Sequence, residues 1–499
     1  MFKSSASEPD NTYIIVSALF TRLLALVYFA AFASLSGQIV ALAGPDGILP
    51  LGNLLEQTSQ QRGWEKYFIY PTIFWLNAGE TALTAATWLG CALSVFVFLN
   101  YKSRVSLIAL YLLYLSLFHA GQIFMNFQWD YLLMEAGFLA IFLRPDAKII
   151  IFLYRWLLFR LRFLSGLSKI VSNDPGWAGL SALTFYFETQ PLPHVGAWYA
   201  HHLPEWILIL ATAAVLVIEL AVPFMMFMSR KYRFIAAWLT IGMQLLIILT
   251  SNHNWFNVLT IVLCLFLFDD KALKRALPAS LCNFLATSKP ASPVRIYEKL
   301  PRNLFAGIII LVSSIQLFEM ATGKRMEGNL KVALDYVQRW SLSNKYHVFP
   351  TVEQKRIELV IEGTMDGVHW LPYEFKYKMG RPDKNMPVII PHHPRIDWMM
   401  WFVQLNPIFL PWFEDFLQAL LDSSESVTAQ LEHNPFSENP PSAIRVLVFE
   451  YSFTSPEQYE LTSYWWNSTF LGPFSPLPVI QRQLNSSSLN PAADWHSSK

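Results

Sequence analysis

The chain has 499 residues, 54% hydrophobic and 15% charged, with three cysteines and a formal net charge of +1. Soluble domains carry about 25% charge, so a chain soluble throughout is excluded, and near-neutrality excludes the electrostatic footprint of a nucleic-acid binder. Cys91 and Cys264 lie in apolar runs and Cys282 in a basic stretch, which leaves no disulfide framework and no thiolate-rich metal site.

The charge deficit is confined to residues 14–320, where long runs with few charges recur. They match the length needed to cross a hydrocarbon core about 30 Å thick, and lipid demands that such runs be helical. The pattern predicts nine spans, at 13–35, 78–99, 105–123, 127–143, 149–168, 205–228, 233–250, 254–268 and 304–320. The first run is too long for a secretory apolar region, contains Arg22 and is followed by further spans, so it reads as a retained helix. The run at 69–76 reads as interfacial.

Lys3, Lys102 with Arg104, Arg144 with Lys148, and Arg230, Lys231 and Arg233 occupy alternate connections. The linker at 269–302 adds Lys271, Lys274, Arg275, Lys289, Arg295, Lys299 and Arg302. With nine spans all of these fall on one side, which the positive-inside rule makes cytoplasmic. The amino terminus is then inside. The loops at 36–77 and 169–204 and the C-terminal third are outside, and the arrangement requires an odd number of spans.

From 321 onward the charge density returns to that of a soluble domain. Residues 356–362 alternate as a strand, Gly363 and the Asp366–Gly367 pair supply turns, and 369–378 and 443–454 are further strands. Residues 397–405 and 412–421 read as helices separated by Asn406, Pro407 and Pro411. The tail at 481–499 is rich in Ser and Asn and reads as disordered. Asn467 and Asn485 each open a glycosylation triplet, meaningful only in an endoplasmic-reticulum lumen. The expected fold is therefore a polytopic α-helical membrane bundle of about nine spans, residues 1–320. A β-rich, sandwich-like extracytoplasmic domain with helical insertions, residues 321–480, follows it.

Ionisable residues within the bundle must be paired or face protein. Arg155, Arg162 and Lys169 recur at intervals of seven and form a basic stripe, with Asp130, Glu135 and Glu219, or an anionic lipid headgroup, as counter-charges. The loop at 169–204 gathers Tyr186, Glu188, Gln190, Trp198, Tyr199, His201 and His202 among prolines. It is either a client- or lipid-facing surface or an interfacial re-entrant loop. In the C-terminal domain, Arg395 and Asp397 are expected to pair with Glu362, Glu374 or Lys376, while Trp398 and Trp401 supply an apolar anchor or a client surface. His392 and His393 are adjacent, so in an extended segment they point oppositely and hold no metal together. No cofactor is implied. A transporter would need an inverted repeat, and none is apparent.

Distinctive segments occur at 47–50 (Gly-Ile-Leu-Pro), 129–143, 155–160, 165–169, 174–177, and in the loop from Phe185 through Glu188, Gln190 and Pro191 to His201 and Pro204. Others follow at 254–257, 268–270, 361–363, 373–378, 392–398 and 434–436. Together these segments resemble the lipase maturation factor family. The resemblance implies a membrane protein that assists folding of secreted lipases, with an exported client and membrane lipid as partners. In animal members that membrane is the endoplasmic reticulum. Short loops and few cysteines suggest a bacterial relative, in an inner membrane with a periplasmic C-terminal domain. The stretch 166–170 with Asp174 and Trp177 also resembles the vitamin K-dependent gamma-carboxylase, which would make Lys169 a catalytic base with His201 or His202 sharing protons.

Overall fold

The computed structural model describes residues 12–286, 296–475, 477 and 479–481. The predicted tail and Asn485 lie outside these residues, as do Lys3, Lys289 and Arg295.

Among the described residues, five helices are long and apolar enough to cross a membrane: Ile14–Ser36, Glu80–Phe98, Ser103–Ala120, Arg230–Thr250 and Lys299–Thr322. A sixth crossing results if Val195–His201 and Glu205–Leu220, bent by 111°, count as one span. The expectation of nine spans is overturned. The helix at 127–143 is Gln128–Ile141, whose 14 residues rise only about 21 Å, and residues 132–140 are all buried. The helix at 254–268 is equally short, Phe256–Leu267. Lys148–Val171 has the length, but it carries Arg155, Arg160, Arg162 and Lys169 and runs through the middle of the bundle with those last three buried. Hydropathy records the preference to leave water. It does not distinguish lipid from a protein interior, and these helices took the interior.

The ends of the first helix show how the molecule is arranged. Asp270 accepts hydrogen bonds from the amides of Ile14, Ile15 and Val16 at 2.7–3.0 Å, satisfying orphan donors of the first turn. At the other end, Ser34 and Gln38 bond to the segment at 392–395 of the C-terminal domain. The domain therefore sits at the bundle end opposite to Asp270.

That domain contains β1 (Arg356–Thr364), β2 (Leu371–Pro372), β3 (Glu374–Phe375), β4 (Leu431–His433), β5 (Ala443–Phe453), β6 (Trp466–Pro473) and β7 (Val479–Gln481). The main sheet is antiparallel in the order β2-β1-β5-β6, with β7 also on β5, and β3 pairs β4 separately. The register aligns Arg356 with Tyr451 and Thr364 with Ala443. The Asp366–Gly367 turn forms with Gly367 at φ 77° and Asp366 accepting from the amides of Val368 and His369.

A sandwich is not formed. A two-residue ladder is too small to face a five-stranded sheet, and helices Arg395–Val403 and Leu410–Leu421 supply the apolar cover instead, with Trp398, Phe413 and Phe416 buried. One core cluster runs from helix residues such as Tyr28 and Leu133 through Tyr346 to Leu359, Trp398 and Phe413. The two regions are fused through side chains.

Candidate functional site

Buried ionic networks centred on Asp130, Glu135 and Glu219 join helix to helix and bundle to domain. Asp130 and Arg395 form a two-pronged pair at 2.6 and 2.8 Å, both side chains essentially inaccessible. Tyr114 donates to Asp130 at 2.6 Å, and Arg395 also donates to the Phe124 carbonyl at 2.9 Å. Glu135 pairs with Arg160 and accepts from the Tyr346 hydroxyl at 2.8 Å and from the Asn344 amide at 3.3 Å. Arg160 reaches the Ser343 hydroxyl and the Asn344 carbonyl, both at 3.2 Å. Glu219 takes Arg162 at 2.7 Å and Lys169 at 2.8 Å, and Lys169 donates to the Val348 carbonyl at 2.7 Å with its ammonium 5.0 Å from the Trp177 ring centre. Buried charges are costly unless they are paired. Here they bind the 341–350 segment and the domain to the helices.

The basic stripe thus divides. Arg162 and Lys169 converge on Glu219, whereas Arg155 reaches the Phe266 carbonyl at 2.9 Å and the Tyr13 hydroxyl, near the other end of the bundle.

The loop at 169–204 is sewn to the domain. Tyr186 meets His253 Nε2 at 2.9 Å, and Gln190 donates to the Thr250 carbonyl at 3.0 Å. Glu188 accepts from the Phe453 amide at 2.8 Å, and burial raises its carboxyl above the usual range. Trp198 donates to the Thr454 carbonyl at 3.1 Å and rests against Tyr459 and Trp465. His202 bonds the Trp198 carbonyl at 2.7 Å and His201 lies 3.9 Å from Glu188, so neither approaches Lys169 by any contact seen here. Tyr199 remains exposed, at 62%.

In the domain, the expected partners of Arg395 and Asp397 are corrected. Arg395 enters the bundle, and Asp397 accepts from the amides of Tyr377 and Lys378 at 2.7 and 2.8 Å. Glu362 pairs with Arg445 at 2.6 Å, Glu374 lies 3.7 Å from Arg381, and Lys376 donates to the Ala429 carbonyl at 2.7 Å. These groups already have partners within the domain, while among the described residues Arg395 is the cation that meets Asp130. Trp398 is buried against Trp129 and Trp401 donates to the Thr189 carbonyl at 2.7 Å, which is the anchor geometry of the two alternatives. His392 meets Ser34 Oγ at 2.9 Å while the ring of His393 lies among Trp129, Trp398 and Phe127. Among the described residues no cluster of His, Cys, Asp or Glu has the makings of a metal site.

One network was not anticipated. Arg356, at the start of β1, donates to the carbonyls of Glu188 at 2.8 Å, Gln190 and Pro191 at 3.0 Å, and pairs with Glu358 at 2.6 Å; Lys378 holds the second Glu358 oxygen at 2.6 Å. The available signal was two opposite charges two residues apart, on one face of a strand that also carries buried apolar side chains.

A cleft of about 190 Å³ opens beside β1, lined by Leu359, Ile361, Tyr373, Phe375, Met379 and Tyr451. The Tyr373 hydroxyl is buried there without a hydrogen-bond partner, and Arg381 and Lys384 also line it. An apolar groove with a few polar groups can take an apolar segment of a partner.

The lipase maturation factor transmembrane domain matches residues 15–275, and the lipase maturation factor C-terminal domain matches residues 342–476. This chain belongs to the lipase maturation factor family. It is 33% identical to lipase maturation factor 2 of Rattus norvegicus, covering 92% of this chain and 82% of that protein. Against lipase maturation factor 2 of Gallus gallus the identity is 33%, over 92% and 80%. Against lipase maturation factor 1 of Mus musculus it is 32%, over 95% and 88%. These relatives lend no support to a bacterial subgroup or to the gamma-carboxylase resemblance. No solved structure matches the chain.

Proposed function

We propose that this chain is a membrane-bound maturation factor for exported lipases, with the C-terminal domain meeting the client. The carrying observation is that both family domains match in order and that curated maturation factors align with more than 90% of the chain. The bundle then serves as a rigid mount, and the buried networks hold the domain at one height above it. The cleft beside β1 and the exposed Tyr199 are the contact candidates for client or lipid.

The proposed topology has the Asp270 end of the bundle in the cytoplasm and the C-terminal domain outside. Support comes from Arg230, Arg233 and Lys271 clustering near that end while the domain docks at the other. In this reading the membrane region runs to the end of the span Lys299–Thr322, with outer loops at 36–77 and 169–204, and the domain that follows is outside. The compartment outside is an endoplasmic-reticulum lumen in a eukaryotic host and a periplasm in a bacterial one. Lys169 acts in this proposal as a tie between helices, since its ammonium already serves Glu219 and two carbonyls.

Deleting the gene and measuring both the secreted mass and the specific activity of each exported lipase tests the function. Activity per unit mass is expected to fall and to return when the gene is restored. Unchanged specific activity of every exported lipase would overturn it.

A further inference from the structure

We propose that the helix Gly328–Arg339, with the aromatic segment at 64–76 beside it, is an interfacial element that rests on the lipid leaflet on the C-terminal domain's side. The helix is amphipathic: Leu330, Ala333, Leu334 and Val337 recur at i, i+3, i+4 and i+7, with Lys331, Asp335 and Gln338 opposite. A helix of this kind in a soluble domain turns its apolar stripe to the core. Here none of its 12 residues is buried, and Leu330 is 44% exposed.

Its depth identifies what covers that stripe. Five residues separate the helix from the membrane span ending at Thr322. At its other end the Trp340 carbonyl accepts from the Tyr111 hydroxyl, and the Arg339 carbonyl lies 3.0 Å from His119 Nε2. Both partners belong to the span Ser103–Ala120, and Tyr111 stands nine residues, about 14 Å, before its end. An apolar stripe with Leu330 and Ala333 exposed and Leu334 and Val337 only half-buried, level with the last turns of a membrane crossing, faces acyl chains and headgroups.

The neighbouring segment has matching chemistry. Arg339 donates to the Ile69 carbonyl at 3.2 Å. Around Ile69, Trp64, Phe68 and Leu76 are 83%, 57% and 93% exposed, and the Lys66 ammonium lies 5.2 Å from the ring centres of both Tyr67 and Trp75. Aromatic rings interleaved with cations suit the headgroup boundary. The helix leads directly into residues 343–346, which bond Arg160 and Glu135, so lipid contact here sets the height of the whole domain.

The test uses full-length protein in phosphatidylcholine nanodiscs, labelled with a fluorophore at Leu330→Cys, Ala333→Cys, Lys331→Cys or Asp335→Cys. The three native cysteines are buried and stay in place, and the unsubstituted protein is the labelling blank. Nitroxide lipid is expected to quench the labels at 330 and 333 at least about three-fold more than those at 331 and 335, with aqueous iodide showing the reverse order. Equal iodide quenching at all four positions would place the stripe in water. Shielding of 330 and 333 from both quenchers would mean that a protein, a client or a second copy, covers it. Either result overturns the proposal.

Discussion

Replacing Arg395 with Met keeps the length and apolar stem of the side chain but removes a guanidinium that makes two bonds to Asp130 and one to the Phe124 carbonyl. Asp130 is left with no exposure and the Tyr114 hydroxyl as its remaining side-chain donor. Breaking a buried pair from one side costs about 3–5 kcal/mol, because a charge stays behind without its partner. Removing both partners is far milder, so Asp130→Leu combined with Arg395→Met is expected to recover most of the loss. The assay is reversible unfolding of the purified full-length protein in mixed micelles, run as a double-mutant cycle. The expected result is a large single-mutant loss with a coupling of at least about 2 kcal/mol. A single-mutant loss under about 1 kcal/mol, or strictly additive effects, would refute the claim that this pair fastens the domain to the bundle.

Arg356→Met is expected to destabilise by a comparable amount, about 3–5 kcal/mol, and to open residues 185–195 to added protease, because three loop carbonyls lose their donor. Arg356→Lys should not restore protection, since an ammonium cannot reproduce the fork. Burial, with Arg395 and Lys376 nearby, holds the His392 imidazole at about 4 instead of 6.5. The unfolded chain therefore takes up the proton first, so stability is full above about pH 6.5 and declines as pH falls from there toward 4. Melting temperatures measured between pH 7.5 and 5 should fall, and His392→Gln should reduce the slope; an unchanged slope would exclude this histidine. Gly137→Ala would set a methyl 1.8 Å from the Tyr28 hydroxyl, so a loss of about 1–3 kcal/mol is expected, partly relieved by Tyr28→Phe. Equilibrium unfolding of the two variants checks both.

Membrane character, the strands at 356–364 and 443–453 and the two domain helices were all legible along the chain. Each depends on a pattern only a few residues long: an uncharged run, a period of two, or a turn pair such as Asp366–Gly367. The family likeness was legible as well, because its motifs are contiguous. The number of crossings was not, since Gln128–Ile141 and Phe256–Leu267 are apolar for the sake of a protein interior that hydropathy scores like lipid. The partners of the charged residues were equally hidden. Arg395 and Asp130 are 265 residues apart and Arg356 and Glu188 are 168 apart. Sequence alone determines that buried charges need partners, because an isolated charge cannot remain in a low-dielectric interior. Only folding decides which charge lies within about 3 Å, and here that choice made Arg395 and Arg356 the joints between bundle and domain.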